Sequence, residues 1–192
     1  MPVEYWNPVP IYYDDLSTDE FDLIRQEILT KLKPEMFNKT TWHDLVSTTT
    51  DISKNIINYL NLNFLKIVII NHVNYFINSL SFQKPLSKLV LTNSWFNKTY
   101  KYGFQNTHLH IQSEGIVNNT NYISGVYYYD YYDDNFQCPL VFKLYNNVKM
   151  EDVIYQYIPG RIIIFHGLTP HCVFYNQSEK PRTSFSFNFT YE

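Results

Sequence analysis

The chain is 192 residues long, 45% hydrophobic and 18% aromatic with only 17% charged residues, which fits one globular domain with a sizeable core and excludes an intrinsically disordered chain. A formal net charge of -3 supplies no general basic field, so nucleic acid is not the expected partner. Two cysteines, Cys138 and Cys172, are too few for a disulfide framework or a thiolate zinc site, and a reduced cytoplasmic protein is expected.

No basic, apolar leader opens the chain, and Pro8 and Pro10 exclude helix there, so Ile11-Tyr12-Tyr13 reads as an edge strand. Ser17 or Thr18 is a helix N-cap. Phe21, Ile24, Ile28 and Leu32 then recur at helical spacing up to Pro34. Residues 35–50, rich in Thr, read as a loop. A second helical region spans about 51–80, marked by Ile56, Ile57, Leu60, Leu65, Ile69, Val73 and Phe76, with a break expected near Asn61–Asn63. His72 on this helix reads as a packed or surface residue. The most apolar run, Phe64 to Ile70, is interrupted by Lys66 and is far short of a membrane span, so no membrane partner is expected.

From Lys88 the character changes to short strand-like runs at about 88–96, 104–112, 122–130, 139–145, 153–158, 161–166, 171–176 and 183–191, punctuated by Gly, Pro, Asn and Asp. A helical first part followed by these strands implies an α+β domain, a sandwich or barrel buttressed by N-terminal helices. No repeat or linker divides it, so 1–192 reads as a single domain, with 1–87 as supporting segments and 88–192 as the β core.

The chemistry-bearing residues lie in that second part. His108-Leu109-His110 on a strand would put both imidazoles on one face, because side chains alternate with period two. His171, after a Pro159-Gly160 turn and an apolar strand, offers a third nitrogen. Imidazole suits Fe, Mn, Cu, Ni and Zn alike, so ligand type leaves the metal open. In the final strand Arg182, Ser184, Ser186 and Asn188 face one side, and Thr183, Phe185, Phe187 and Phe189 the other. An arginine and serines on an inward face suit a carboxylate, which guanidinium grips as a fork.

The series Ser94-Trp95-Phe96-Asn97, Gly103, His108-Leu109-His110, Ser124-Gly125-Val126-Tyr127-Tyr128, Pro159-Gly160, His171, Asn176 and Arg182-Thr183-Ser184-Phe185-Ser186-Phe187-Asn188 resembles the small 2-oxoglutarate- and Fe(II)-dependent oxygenases of bacteria and bacteriophages, within the prolyl-hydroxylase-like superfamily. The likeness covers roughly residues 88–191. It implies a double-stranded β-helix (jelly-roll) core holding Fe(II), 2-oxoglutarate and O2, and hydroxylation of a small-molecule or peptidyl substrate with release of succinate and CO2. His171 would be the distal iron ligand beside His108 and His110. Arg182 would bind the far carboxylate of 2-oxoglutarate, with Ser184 and Tyr128 assisting.

One departure stands out. The family's His-x-Asp/Glu is here His-x-His, so either the triad is three histidines or a carboxylate such as Glu114 completes it. The Asn118–Asn121 stretch reads as a loop over the site. Two other readings use the same residues. In a cupin-type metalloprotein Glu114 is a fourth ligand and Asn176 belongs to the second motif. In a non-catalytic jelly-roll binding module the tyrosines of 127–134 stack on a ligand. Trp95, Phe96, Tyr127 and Phe165 are expected either to wall a pocket or to pack in the core.

Overall fold

The computed structural model describes residues 3–6, 9–41, 43–80, 89–110, 123–132, 138–145 and 148–191. Its elements run β1 (Val3–Trp6), β2 (Val9–Asp15), α1 (Thr18–Lys31), β3 (Asn38–Lys39), β4 (Val46–Thr48), α2 (Ile56–Tyr59), α3 (Asn63–Ser79), β5 (Leu89–Thr99), β6 (Gln105–His108), β7 (Ile123–Tyr127), β8 (Leu140–Tyr145), β9 (Met150–Tyr155), β10 (Arg161–His166), β11 (His171–Val173) and β12 (Arg182–Tyr191). Two antiparallel sheets form from them, one in the order β1-β2-β10-β7-β12-β5-β4-β3 and one in the order β6-β11-β8-β9. The arrangement is a jelly-roll, or double-stranded β-helix, with helices on the outer face of the larger sheet.

Alternation along the strands builds two cores. Val126, Ile163 and Phe165 of the large sheet meet Leu140, Phe142, Leu144, Val153 and Val173 of the small one between the sheets. On the other face Phe96, Phe185, Phe187 and Phe189 pack against Ile24 and Ile28 of α1 and Leu65, Ile69, Val73 and Phe76 of α3. Each fully buried Phe or Ile contributes about 1.5–3 kcal/mol of transfer free energy, which is what binds the amphipathic helices to the sheet. Gly125 makes the close approach possible: a Cβ there would lie 2.2 Å from the Phe187 ring and 2.9 Å from the Ile163 carbonyl.

Helix α1 starts as its sequence implies. The Ser17 hydroxyl accepts from the Glu20 N–H, and the Glu20 carboxylate reaches back to the Ser17 N–H, a capping box that satisfies two end donors. The break expected near Asn61–Asn63 is present, with Asn61 at φ 52, a left-handed turn that asparagine tolerates. The region before it is less helical than its apolar spacing predicts, because α2 is only four residues long.

Other expectations are corrected. Ile11-Tyr12-Tyr13 lies inside the sheet between β1 and β10. Proline is tolerated there because pairing with β10 stops at Ile11, one residue before Pro10 is reached. The stretch 35–50 carries the short β3–β4 hairpin, which extends the large sheet past β5; strands of two and three residues are too short to show a period. The large sheet therefore draws β1 to β4 from the part of the chain read as supporting segments. The run read at 153–158 is Met150–Tyr155, in register with β8. Both cysteines are buried and free. Glu114 and the Asn118–Asn121 stretch lie outside the described residues.

Candidate metal and anion site

His108 closes β6 and His171 opens β11, directly opposite each other in the antiparallel register. His110 falls two residues beyond the end of β6 rather than within it. Its N–H donates to the Gly167 carbonyl at 2.9 Å, which keeps the segment extended and returns the imidazole to the His108 side. The ring centroids are 4.3 Å apart for His108–His171, 4.9 Å for His110–His171 and 5.5 Å for His108–His110. One ring nitrogen from each lies within 4.8 Å of the others, and among the described residues no Asp or Glu joins them.

The hydrogen bonds decide which nitrogens are free. His108 Nδ1 lies 2.8 Å from the Asn106 carbonyl, and His171 Nδ1 lies 2.8 Å from the Thr169 carbonyl. A carbonyl only accepts, so in both rings Nδ1 carries the proton and Nε2 keeps its lone pair. His110 Nδ1 lies 2.7 Å from Asn188 Oδ1, which also accepts from the Ser124 hydroxyl at 2.7 Å. All three histidines thus have the outer hydrogen bond that metal-ligating imidazoles commonly make, with Nε2 unencumbered by any of the described residues. Burial holds them neutral: it lowers His108, lowers His110 to about 4 and lowers His171 well below the ordinary value, the last further depressed by its two neighbours.

That neutrality has a pH signature. His110 falls from 6.5 to about 4 on folding, so between those values the unfolded chain binds more protons and folding stability rises with pH. The metal-free protein should therefore be most stable above about pH 6.5 and lose up to about 3 kcal/mol through His110 as pH falls toward 4. Denaturant titrations at half-unit pH steps check this. A flat midpoint across that window contradicts it.

The second half of the site is Arg182, the first residue of β12 and only 2% exposed. Its Nε donates to the Cys138 carbonyl at 3.0 Å, Nη1 to Ser184 Oγ at 3.1 Å and Nη2 to the Tyr128 hydroxyl at 3.2 Å. The guanidinium also lies 5.0 Å from the Tyr128 ring centroid and 5.7 Å from that of Tyr157, and those two rings stack at 4.2 Å. Neither neighbouring acid supplies a negative charge. Burial pushes the Tyr128 phenol up against the pull of Arg182, and pushes the Cys138 thiol up to about 11. Among the described residues no carboxylate pairs with Arg182. A guanidinium has five N–H donors, so among the described residues one on each Nη is left over for a carboxylate.

Histidines and arginine open into one cavity of about 430 Å³. Val126, Leu140, Phe165 and Val173 give it apolar walls, while Thr48, Thr50, Trp95, Asn97 and Ser186 make a polar side. That polar side is internally bonded, since Trp95 Nε1 donates to Asn97 Oδ1 at 3.1 Å and Asn97 Nδ2 to Ser186 Oγ at 3.0 Å. Trp95 and Phe165 thus wall the pocket, whereas Phe96 and Tyr127 pack in the outer core. Tyr128 is fully buried and does not line the cavity; it holds Arg182 from behind. Asn188, Ser124 and Tyr157 were not singled out for the site by sequence. Only the inward register of Asn188 beside Arg182 and Ser184 hinted at it.

Residues outside the cavity take other roles. His72 accepts or donates at 2.6 Å with the Tyr12 hydroxyl, a packed histidine as its helical position implies. Asn176, which the cupin reading placed in its second motif, bonds the carbonyls of Thr99 and Lys180 and accepts from the Ser178 N–H. It is loop scaffolding. Of the tyrosines read as a stacking surface, Tyr127, Tyr128 and Tyr129 are buried and offer none, while Tyr131 is exposed beside Phe21 and Arg25.

Solved structures similar to this chain include a prolyl-4-hydroxylase from Pseudomonas putida, at 14% identity and TM-score 0.58 over 95% of this chain and 92% of that one. An oxidoreductase of the 2OG-Fe(II) oxygenase family from Burkholderia pseudomallei matches at 13% identity and TM-score 0.60, over 94% and 84%. The fold is that of the 2-oxoglutarate/Fe(II) oxygenases. SnoK, a non-heme alpha ketoglutarate-dependent carbocyclase of nogalamycin biosynthesis, shares the oxygenase fold with this chain at 11% identity and TM-score 0.65, over 93% and 78%. No protein-family model matches the sequence, and no curated protein does. At such identities the likeness speaks for the fold, and the chemistry rests on the residues of the cavity.

Proposed function

We propose that this chain is a 2-oxoglutarate- and Fe(II)-dependent dioxygenase that hydroxylates a small-molecule or peptidyl substrate. The observation that carries the reading is one cavity with three imidazole nitrogens and a buried guanidinium, unpaired with any carboxylate among the described residues, both opening into it. The donor set fits the metal: three neutral imidazoles with Nε2 lone pairs on one face leave room for further ligands. In this reading His108, His110 and His171 hold the iron, and no carboxylate is needed in the triad.

Iron, when bound, supplies the O2 activation that couples decarboxylation of 2-oxoglutarate to hydroxylation, giving one succinate and one CO2 per hydroxylated product. The chain's own residues do the rest. Arg182 and Ser184 grip the far carboxylate of 2-oxoglutarate, and Tyr128 and Tyr157 hold Arg182 in place. Val126, Leu140, Phe165 and Val173 keep water from that end. Thr48, Trp95, Asn97 and Ser186 form the wall left for the substrate.

The test is anaerobic loading with Fe(II) and 2-oxoglutarate followed by O2. Succinate should form slowly even without substrate, and faster with it. No succinate from a protein that has taken up both iron and 2-oxoglutarate would sink the proposal. Product mass decides between hydroxylation, which adds one oxygen, and a carbocyclase reaction such as SnoK's.

A further inference from the structure

His108 and His171 obtain their outer hydrogen bond locally, each from a backbone carbonyl two residues upstream. His110 does not. Its Nδ1 faces the side-chain amide of Asn188, on β12 and 78 residues away. Backbone carbonyls can only accept, but a side-chain amide has two ends. With oxygen toward the ring, Nδ1 is protonated and Nε2 keeps the lone pair a metal requires. With nitrogen toward the ring, the amide donates, the proton moves to Nε2, and His110 can no longer ligate.

In the structure the oxygen faces the ring. The Ser124 hydroxyl of β7 donates to that same oxygen at 2.7 Å. Asn188 is 4% exposed and Ser124 fully buried, so bulk solvent does not reach either partner. Both side chains lie on the inner face at paired positions of β12 and β7. Asn188 continues the inward alternation of Arg182, Ser184 and Ser186, and the register shift that follows it adds a residue to β5 rather than to β12.

We propose that Asn188, oriented by Ser124, is the positioning residue that makes His110 a metal ligand. The inference rests on the metal reading above. It matters because a histidine stands where the family's motif has a carboxylate: a carboxylate offers lone pairs from both oxygens, whereas a neutral imidazole needs its tautomer set from outside.

The experiment uses the full chain, metal-free and folded, in two measurements. The first is 15N NMR of histidine-labelled protein at pH 8, which reports the tautomer of each ring. The second is titration with Co(II), which needs no turnover. Wild type should show His110 protonated at Nδ1. Asn188→Asp keeps an acceptor that cannot reverse, and should hold that tautomer with Co(II) affinity equal to wild type or tighter. Asn188→Leu should shift His110 toward the Nε2-protonated form and weaken Co(II) by about 10- to 100-fold. Ser124→Ala should fall between them. Should Asn188→Leu fail to fold, Asn188→Ala and Ser124→Ala carry the comparison.

Wild-type tautomer and affinity in Asn188→Leu or Asn188→Ala would overturn the inference. So would loss of Co(II) by Asn188→Asp as complete as by Asn188→Leu, since shape rather than the acceptor would then matter. A wild-type protein that takes up no Co(II) overturns the metal reading itself, and that failure appears before any variant is compared.

Discussion

Arg182→Met should weaken 2-oxoglutarate binding by two to three orders of magnitude while leaving metal uptake at the histidines unchanged. Removing one partner of a desolvated charge pair costs about 2–5 kcal/mol, and each 1.4 kcal/mol is tenfold in affinity. The free protein should not suffer in proportion. Its guanidinium is buried with three hydrogen bonds and two aromatic faces but no carboxylate among the described residues. Methionine removes a buried charge whose desolvation is itself costly, which offsets part of the loss from leaving the three acceptors without their donor. Arg182→Lys should lie between, because an ammonium keeps the charge and loses the fork. Anaerobic calorimetry with Mn(II) bound separates the steps. A Met variant that binds 2-oxoglutarate as wild type does removes the anion role of Arg182.

His171→Ala should lower metal affinity by more than the 10- to 100-fold that outer hydrogen-bond partners carry, and reduce succinate formation to background. His171 is the most enclosed of the three rings, flanked by Phe142 and Phe165 and by both other histidines. Deleting it leaves, among the described residues, two nitrogens on β6 and just beyond, one donor short of the triad. The fold should persist, since the inter-sheet core is made of Val126, Leu140, Phe142, Ile163 and Phe165 rather than this ring. His72→Ala is the control. It removes a hydrogen bond to Tyr12 and should leave metal uptake intact. Equal loss in both variants would point to general destabilisation instead of a site.

How much of this was readable in the sequence varies by element. The alternation of β12 was legible because its two faces meet different surroundings, with Phe185, Phe187 and Phe189 under the helices and Arg182, Ser184 and Ser186 on the cavity. Helix α1 was legible from Ser17, Glu20 and the spacing of Phe21, Ile24 and Ile28, all local signals. The β3–β4 hairpin was not, because it is held by pairing to β5 and not by its own pattern. The interior position of β2 was hidden for a related reason. Pro10 suggests an edge, and only the register shows that the neighbour on that side has already ended.

The candidate site divides in the same way. His108, His110, His171 and Arg182 announce themselves by residue type and by period-two spacing, which are properties of the chain alone. By itself the sequence determined an α+β sandwich or barrel and the donor atoms on offer, and its likeness to the oxygenases added the jelly-roll. Only the tertiary structure decided that the three imidazoles converge, that Arg182 opens into the same cavity with no carboxylate beside it among the described residues, and that Asn188 meets both His110 and Ser124. The reason is physical: a lone pair becomes a ligand, and a buried charge becomes an anion site, only through partners that lie far away along the chain.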